Sequence, residues 1–228
     1  MFSILTNIVN VLKKIEASGF KAYVVGGFVR DFYRNKENSD VDICTSAKPD
    51  DLKHIFDNIF IDQYGSVVLN YNGINFEITT FRREKKYLDN RHPTKIKYVK
   101  NLKTDLKRRD FTMNSICLTS DLNYIDYLGG RNDINKKIVK MIGKPEKRLK
   151  EDSLRILRAI RFATTLDFEL EESLKNSIKN FTCSNGSPPV TVTPPPDKFI
   201  YVLYLFTFSI ISSNVFSSPN VISHVSLL

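Results

Sequence analysis

Charge in this chain ends just before its proline-rich stretch. The 228 residues carry 34 Lys+Arg against 25 Asp+Glu, a formal net charge of +9, yet from Cys183 onward only Asp197 and Lys198 are charged. Those two cancel, so the whole surplus belongs to residues 1 to 182. Six of the nine prolines lie past the same point, in GSPPVTVTPPPD and at Pro219, and the aromatic run FIYVLYLFTFSII follows from Phe199 to Ile211. A segment so poor in charge and so rich in proline cannot continue a charged globular fold. Its apolar run also falls short of the roughly 20 residues that cross a bilayer, with Ser212, Ser213 and Asn214 interrupting it. Residues 183–228 are therefore read as an atypical Pro/Ser/aromatic tail, expected to be disordered and prone to aggregate. They resemble translated non-coding or frame-shifted sequence more than a selected domain. A membrane anchor stretched to Phe216 is the alternative reading.

Composition narrows what remains. With 42% hydrophobic and 26% charged residues, the chain is neither wholly disordered nor multi-spanning. Cys44, Cys117 and Cys183 are odd in number and at no metal-ligand spacing. That argues against a disulfide framework or a zinc finger, and for a reducing compartment, cytoplasmic or, in a eukaryote, mitochondrial. The N-terminal MFSILTNIVNVLKKIEASGF has no basic stretch ahead of an apolar run, so it reads as an amphipathic helix rather than a secretory signal.

Periodicity supplies the elements. Ile4, Ile8, Val11, Leu12 and Ile15 recur at helical spacing and Gly19 supplies a stop, which predicts a helix over about 3–18. Ala22–Val25 is a short buried-type strand running into Gly26-Gly27, after which 28–33 can restart as a helix. Val41 and Ile43 alternate with Asp40, Asp42 and Cys44, so one strand face is apolar and the other carries carboxylates. Pro49 opens a helix carrying Leu52, Ile55 and Phe56. Asn72-Gly73 between two apolar-patterned runs predicts a hairpin over 66–81. Residues 82–97 are basic with little periodicity and are expected to form a mobile loop. Residues 105–114 are expected to be helical, 124–127 a strand, Gly129-Gly130 a turn, and 145 to about 180 helical with a pause near Asp167.

Asp40 and Asp42 are two apart on a predicted strand and so leave the same face, where two like charges repel unless a cation lies between them. Alone, the pair reads as an exposed strand edge or turn. Upstream, however, stand Gly26 and Gly27 at a strand end, with Arg30 and Asp31 in the next helical turn. Glycines let a triphosphate approach the backbone, and Arg30 can pair with phosphate or ribose. A glycine-lined turn followed by a carboxylate pair suits a nucleotide held with a hard cation such as Mg²⁺.

The string VVGGFVRD followed by SDVDICTSAKP resembles the head of class II nucleotidyltransferases, the family of CCA-adding tRNA nucleotidyltransferases and bacterial poly(A) polymerases. The resemblance continues in order through FEITTFR, DNRHP, DLKRRDFTMNSI, the Gly129-Gly130 turn and EDSLRILRAIRFA, covering roughly residues 1 to 181. It implies an α/β (α+β) fold: a small mixed sheet with helices as a nucleotidyltransferase head over 1–140, then a partial helical neck over 141–182. It also implies Mg²⁺-dependent nucleotidyl transfer, with Asp40 and Asp42 as catalytic metal ligands. Glu77, on the second hairpin strand, is a third catalytic candidate, to complete the metal site or orient the attacking hydroxyl; an edge-strand glutamate is the other reading. The resemblance makes Arg109 the nucleotide-contacting arginine and Asp110 the partner that fixes it. His92, in DNRHP, is assigned no proton transfer.

On a continuous helix, Asp152, Arg155, Arg158 and Arg161 would form a slowly turning polar ridge, which is either i,i+3 ion pairing on a solvated face or a base reader. Cytosine and adenine each offer an amino donor beside a ring-nitrogen acceptor. Asp152 can accept from the first and Arg155 donate to the second, whereas guanine and uracil present the opposite order. The motif resembles the base-selecting element of CCA-adding enzymes, which carries Arg158 and Arg161 over as phosphate or template-supporting contacts. The expected partners are ATP, CTP and the tRNA 3′ end, with no DNA and no membrane. Adenine alone also satisfies the pair, so a bacterial-type poly(A) polymerase or A-adding enzyme remains an alternative. Family members continue with further helical domains that grip tRNA, so a catalytically poor RNA-binding fragment held to phosphates by its charge is a third reading.

Overall fold

The computed structural model describes residues 2–57, 59–62, 65–87 and 93–184. His92 and the tail beyond Ser184 lie outside the described residues. Helix α1 (Phe2–Ala17) presents Ile8, Val11, Leu12 and Ile15 to the core and ends at Gly19, whose φ is 86°. Strand β1 (Ala22–Val25), helix α2 (Gly27–Tyr33) and strand β2 (Val41–Thr45) follow as the pattern requires. Helix α3 (Pro49–Lys53) is shorter than its apolar spacing suggests, and Ile55 and Phe56 lie past its end. Strand β3 (Ile59–Ile61) leads to the hairpin of β4 (Ser66–Tyr71) and β5 (Ile74–Thr80). Asn72 and Gly73 both take positive φ at its tip, 52° and 78°, as a two-residue turn of that type demands.

These strands join β8 (Cys117–Leu118) and β9 (Tyr124–Ile125) in one seven-stranded sheet of order β3-β4-β5-β2-β1-β8-β9. Only β2 and β5 pair in parallel; the other pairs are antiparallel, so the sheet is mixed. Val24, Ile43, Phe76 and Ile78 face α1 and α2 in the main core. On the opposite face, Val25, Cys44 and Cys117 are buried under Phe81 and under Leu102 and Leu106 of α4 (Leu102–Leu106). The carboxylate face is thus open at one half and covered at the other, where alternation alone suggests an exposed surface throughout.

Two further expectations are corrected. Within 82–97 the described residues do not form a loop: β6 (Arg82–Tyr87) and β7 (Pro93–Tyr98) form an antiparallel ribbon, with Arg82 opposite Tyr98 and Glu84 opposite Ile96. The ribbon has little apolar alternation because ion pairs, described below, anchor its base. The helix expected over 105–114 breaks after Leu106. Residues 107–110 turn, a 3₁₀ segment occupies Thr112–Asn114, and Phe111 bridges to Met141. A continuous helix could not return Phe111 and Met113, both fully buried, to the core.

The last part of the described chain comprises α5 (Gly130–Asn135), β10 (Ile138–Val139), α6 (Pro145–Glu151), α7 (Leu154–Leu166), β11 (Glu169–Leu170) and α8 (Glu172–Ser184). Strands β10 and β11 pair in parallel, and the main core runs on through Val139, Leu149, Ile156 and Leu174. Asp126 anchors the entry to α5 by accepting from the backbone N–H groups of Leu128, Gly129, Gly130 and Arg131 at 2.8–3.2 Å. Among the described residues no helix is long and apolar enough to cross a membrane.

A Cβ on Gly130 would stand 2.2 Å from the Thr112 carbonyl oxygen and 2.8 Å from its carbon, and backbone cannot yield as a flexible side chain can. Gly130→Ala is expected to lower the free energy of unfolding by about 2–3 kcal/mol, read from urea denaturation; an unchanged midpoint would contradict this packing.

Candidate active site

Strand β1 ends at Gly26, which adopts φ 87° and ψ −147° before α2 begins. A Cβ there would lie 2.5 Å from Oδ2 of Asp42, so conformation and space both require glycine. Gly27 is less constrained: its nearest neighbour is the Asn38 side-chain nitrogen, at ordinary contact distance. Asn38 turns the chain into β2, its Oδ1 accepting from Asp40 N–H at 2.9 Å while its Nδ2 donates to Asp31 at 2.8 Å. Asp40 therefore stands just ahead of the strand and Asp42 within it, both beside the glycine turn.

Asp42 lies at the boundary where α4 stops covering the sheet. Burial pushes its carboxyl up to about 6 from an ordinary 3.8, with Arg109 opposing the rise and Asp40 and Glu77 adding to it. Glu77 stands directly beside Asp42 in the parallel β2–β5 register, but it is exposed and does not line the cleft. Among the described residues no cluster of three or more His, Cys, Asp or Glu side chains is arranged to hold a metal. The chain offers two carboxylates, and a carboxyl kept from ionising chiefly by burial, and further by like charges, gains from a cation. This donor set suits Mg²⁺, which is commonly bound through one or two carboxylates together with substrate phosphates.

These groups open into a cleft of about 550 Å³. Gly26, Gly27, Arg30, Asp40, Asp42, Arg109, Asp152, Arg155 and Arg161 all line it, and Glu77 and Arg158 do not. The arginines differ in their commitments. Arg30 makes a two-pronged pair with Asp31 at 2.9 and 2.7 Å, donates to Asn114 at 2.8 Å and packs on the Phe162 ring. Burial works against the Asp31 charge, but hydrogen bonds from Arg30 and Asn38 hold its carboxyl below the usual range. Arg155 is almost fully buried and donates to Asp110 at 2.7 Å, to the Arg148 carbonyl at 2.6 Å and to Glu151 at 3.3 Å. By contrast, the Nε of Arg109 has no hydrogen-bond partner, and Arg161 is exposed with its guanidinium over the Phe162 ring.

Two sequence expectations change here. Asp110 does not fix Arg109; it pairs with Arg155 and Arg158, each at 2.7 Å, while Arg109 faces Asp105 at 3.5 Å. Asp152 is not on the helix with the arginines. It closes α6 in an extended conformation, φ −151° and ψ 104°, and its Oδ1 accepts from Leu154 N–H at 3.0 Å. The continuous ridge is therefore Arg155, Arg158 and Arg161 on α7, with Asp152 in the break between α6 and α7 and its Oδ2 bound to Nη2 of Arg158. Each oxygen of Asp152 retains a further acceptor direction. Sequence reasoning also missed Asn38, Asn114, Phe162, Arg82, Glu84 and Arg108 as cleft-lining residues; the RRDFTMN string contains Arg108 and Asn114, but nothing local marks where their side chains go.

A mixed sheet with two carboxylates under a glycine turn, faced by arginines across a polar cleft, defines a nucleotidyltransferase head. The poly(A) polymerase head domain model matches residues 22–140, and the chain belongs to that family. It is 44% identical over 174 residues to the CCA-adding enzyme of Staphylococcus haemolyticus, covering 74% of this chain and 44% of that protein. It is 45% identical over 172 residues to that of Pediococcus pentosaceus, covering 74% and 43%. The crystal structure of the Bacillus stearothermophilus CCA-adding enzyme in complex with CTP superposes with a TM-score of 0.72 at 36% identity, over 79% of this chain and 44% of that one. A tRNA nucleotidyltransferase complexed with a primer tRNA and an incoming ATP analogue gives 0.64 at 28% identity, over 91% and 62%. The chain spans less than half the length of the curated relatives named here.

The raised Asp42 carboxyl has a stability consequence. Its folded-state value lies above the unfolded 3.8, so the folded chain binds the extra proton between about pH 4 and 6 and loses stability as pH rises through that window. Asp42→Asn is expected to stabilise the metal-free protein by about 3 kcal/mol at pH 8, with the gain vanishing near pH 3.5. Urea unfolding at both pH values measures it; a destabilised variant at pH 8 would contradict the burial of this charge.

Proposed function

We infer that this chain is the nucleotide-handling part of an enzyme that adds C and A nucleotides to the tRNA 3′ end, using CTP and ATP with Mg²⁺. The observation that carries the reading is the meeting, in one cleft, of Asp42 and Arg109 with Asp152 and Arg155. The names of the relatives support the same reaction. In it, Asp40 and Asp42 would hold the cation beside a glycine turn where no Cβ obstructs the phosphates. Bound there, Mg²⁺ would neutralise the triphosphate and favour ionisation of the attacking 3′-hydroxyl. Glu77, one strand away, exposed and outside the cleft lining, supports a role in orienting the acceptor better than one in completing the metal site. Arg109 and Arg161 bring guanidinium donors to the phosphates. Arg30, with three of its five N–H donors engaged, chiefly shapes the wall.

Base choice falls to the opposite wall. Asp110, Glu151 and the Arg148 carbonyl hold the Arg155 guanidinium in one orientation, and Arg158 holds Asp152. A reader clamped in this way cannot rotate to satisfy guanine or uracil, whose donor and acceptor order is reversed. Adenine alone satisfies the same pair, which, with the family's poly(A) polymerase description, sustains an A-adding or poly(A) polymerase reading as the second choice. Cys44 and Cys117 are free and buried, which accords with a reducing, cytoplasmic setting.

Asp40→Ala and Asp42→Ala are each expected to abolish Mg²⁺-dependent incorporation into tRNA lacking its CCA end while leaving the circular dichroism spectrum unchanged; near-wild-type incorporation by both would refute the metal assignment. Arg155→Ala is expected to weaken CTP and ATP use by roughly tenfold to a hundredfold and to relax rejection of UTP and GTP. Single-turnover competition among the four triphosphates reads this directly, and retained discrimination would place base choice elsewhere.

A further inference from the structure

Asp105, in the last turn of α4, is fully buried, and its two oxygens have different neighbours. Oδ1 accepts from the backbone N–H of Arg82 at 3.0 Å and from Nε of Arg108 at 2.8 Å, tying the base of the β6–β7 ribbon to the turn after α4. Oδ2 accepts no hydrogen bond and faces Nη2 of Arg109 at 3.5 Å. Asp105 is the carboxylate paired with Arg109, while Asp42 acts on it by charge from the cleft side, and the Arg109 Nε is unpartnered. Arg30 shows the contrast, since its two-pronged pair with Asp31 occupies the donors that a phosphate would need. A buried carboxylate oxygen without a hydrogen bond is costly unless the cation it faces stays close.

We propose that Asp105 is a positioning residue for nucleotide binding: its Oδ2 holds the Arg109 guanidinium over the cleft floor by charge and leaves the guanidinium's donors for the triphosphate. This rests on the reading of Arg109 as a phosphate contact. The architectural and positioning roles lie on different oxygens, so they are separable. Asp105→Asn retains a carbonyl oxygen that can accept from Arg82 and Arg108, and it turns an uncharged NH₂ group, itself a donor, towards Arg109.

The test is equilibrium titration of the full chain with CTP in Mg²⁺, for wild type, Asp105→Asn, Arg109→Ala and the double variant. Both single variants are expected to bind CTP about tenfold more weakly, and the double variant no more weakly than Arg109→Ala. Additive losses, or wild-type affinity in Asp105→Asn, would overturn the proposal. Wild-type affinity in Arg109→Ala, or no CTP binding by the unaltered chain, would overturn the phosphate reading beneath it and the proposal with it. A second measurement does not depend on how Asp105→Asn folds: the Arg109 Nε–H resonance of the nucleotide-free wild type, identified by its loss in Arg109→Lys, should be ordered and slow to exchange with water. A signal as averaged as that of exposed Arg161 would overturn the proposal.

Discussion

Helix α4 and Phe81 cover the central strands on the face of the sheet that carries Asp42, and they stop at that carboxylate. Cys44, two residues along the same strand, is fully buried beneath them, while Glu77 on the neighbouring strand is open to solvent. Asp42 therefore stands at a dielectric boundary. It is desolvated enough to resist ionisation, close enough to Asp40 and Glu77 to be repelled by them, and near enough to the opening for a cation to relieve both costs. The glycine turn belongs to the same arrangement, because Asp42 occupies the space where a Cβ at position 26 would stand. A metal and a triphosphate are the kind of ligand that such a boundary favours.

Across the cleft the same economy of charge appears in another form. Asp110 takes Arg155 and Arg158 from α7, and Arg148 reaches back to the carbonyls of Arg108 and Arg109. These contacts bind the helices after residue 145 to the turn that follows α4, so the two walls of the cleft are built as one unit. The geometry divides the arginines into those locked by carboxylates, which give the cleft its shape, and those with donors still available. A positively charged cleft made only of the second kind would repel itself; one made only of the first would have little to offer a phosphate.

The ribbon of β6 and β7 shows how little apolar surface an element needs when its base is tied by charge. Glu84 accepts from Arg82 at 2.8 Å and from Arg108 at 3.2 Å, and Asp105 takes the Arg82 backbone N–H. Ile96 and Tyr98 remain exposed on its second strand. Ladder bonds and a buried ion-pair network, not a hydrophobic stripe, hold this ribbon in place, which is why a search for periodicity reads it as a loop.

What the sequence alone determines here is local. The alternation of Val41, Asp42 and Ile43, the positive-φ turn at Asn72-Gly73, the glycine stop at Gly19 and the spacing of apolar residues in α1 dictate strands, turn and helix within a few residues, because backbone sterics and one-sided burial act over that range. The candidate cleft was partly legible for a related reason: the glycines at a strand end, the carboxylates two apart and several of the arginines do line one cleft, and the ordered motifs pointed to the family that the head-domain match shows. Partnership was not legible. Asp110 and Asp105 lie in one short stretch and either could have held Arg109; Asp152 could have continued one helix or ended it. Those choices were decided by which distant segments meet, since an ion pair across 45 residues, as between Asp110 and Arg155, leaves no periodic mark and depends on packing that only the tertiary structure supplies.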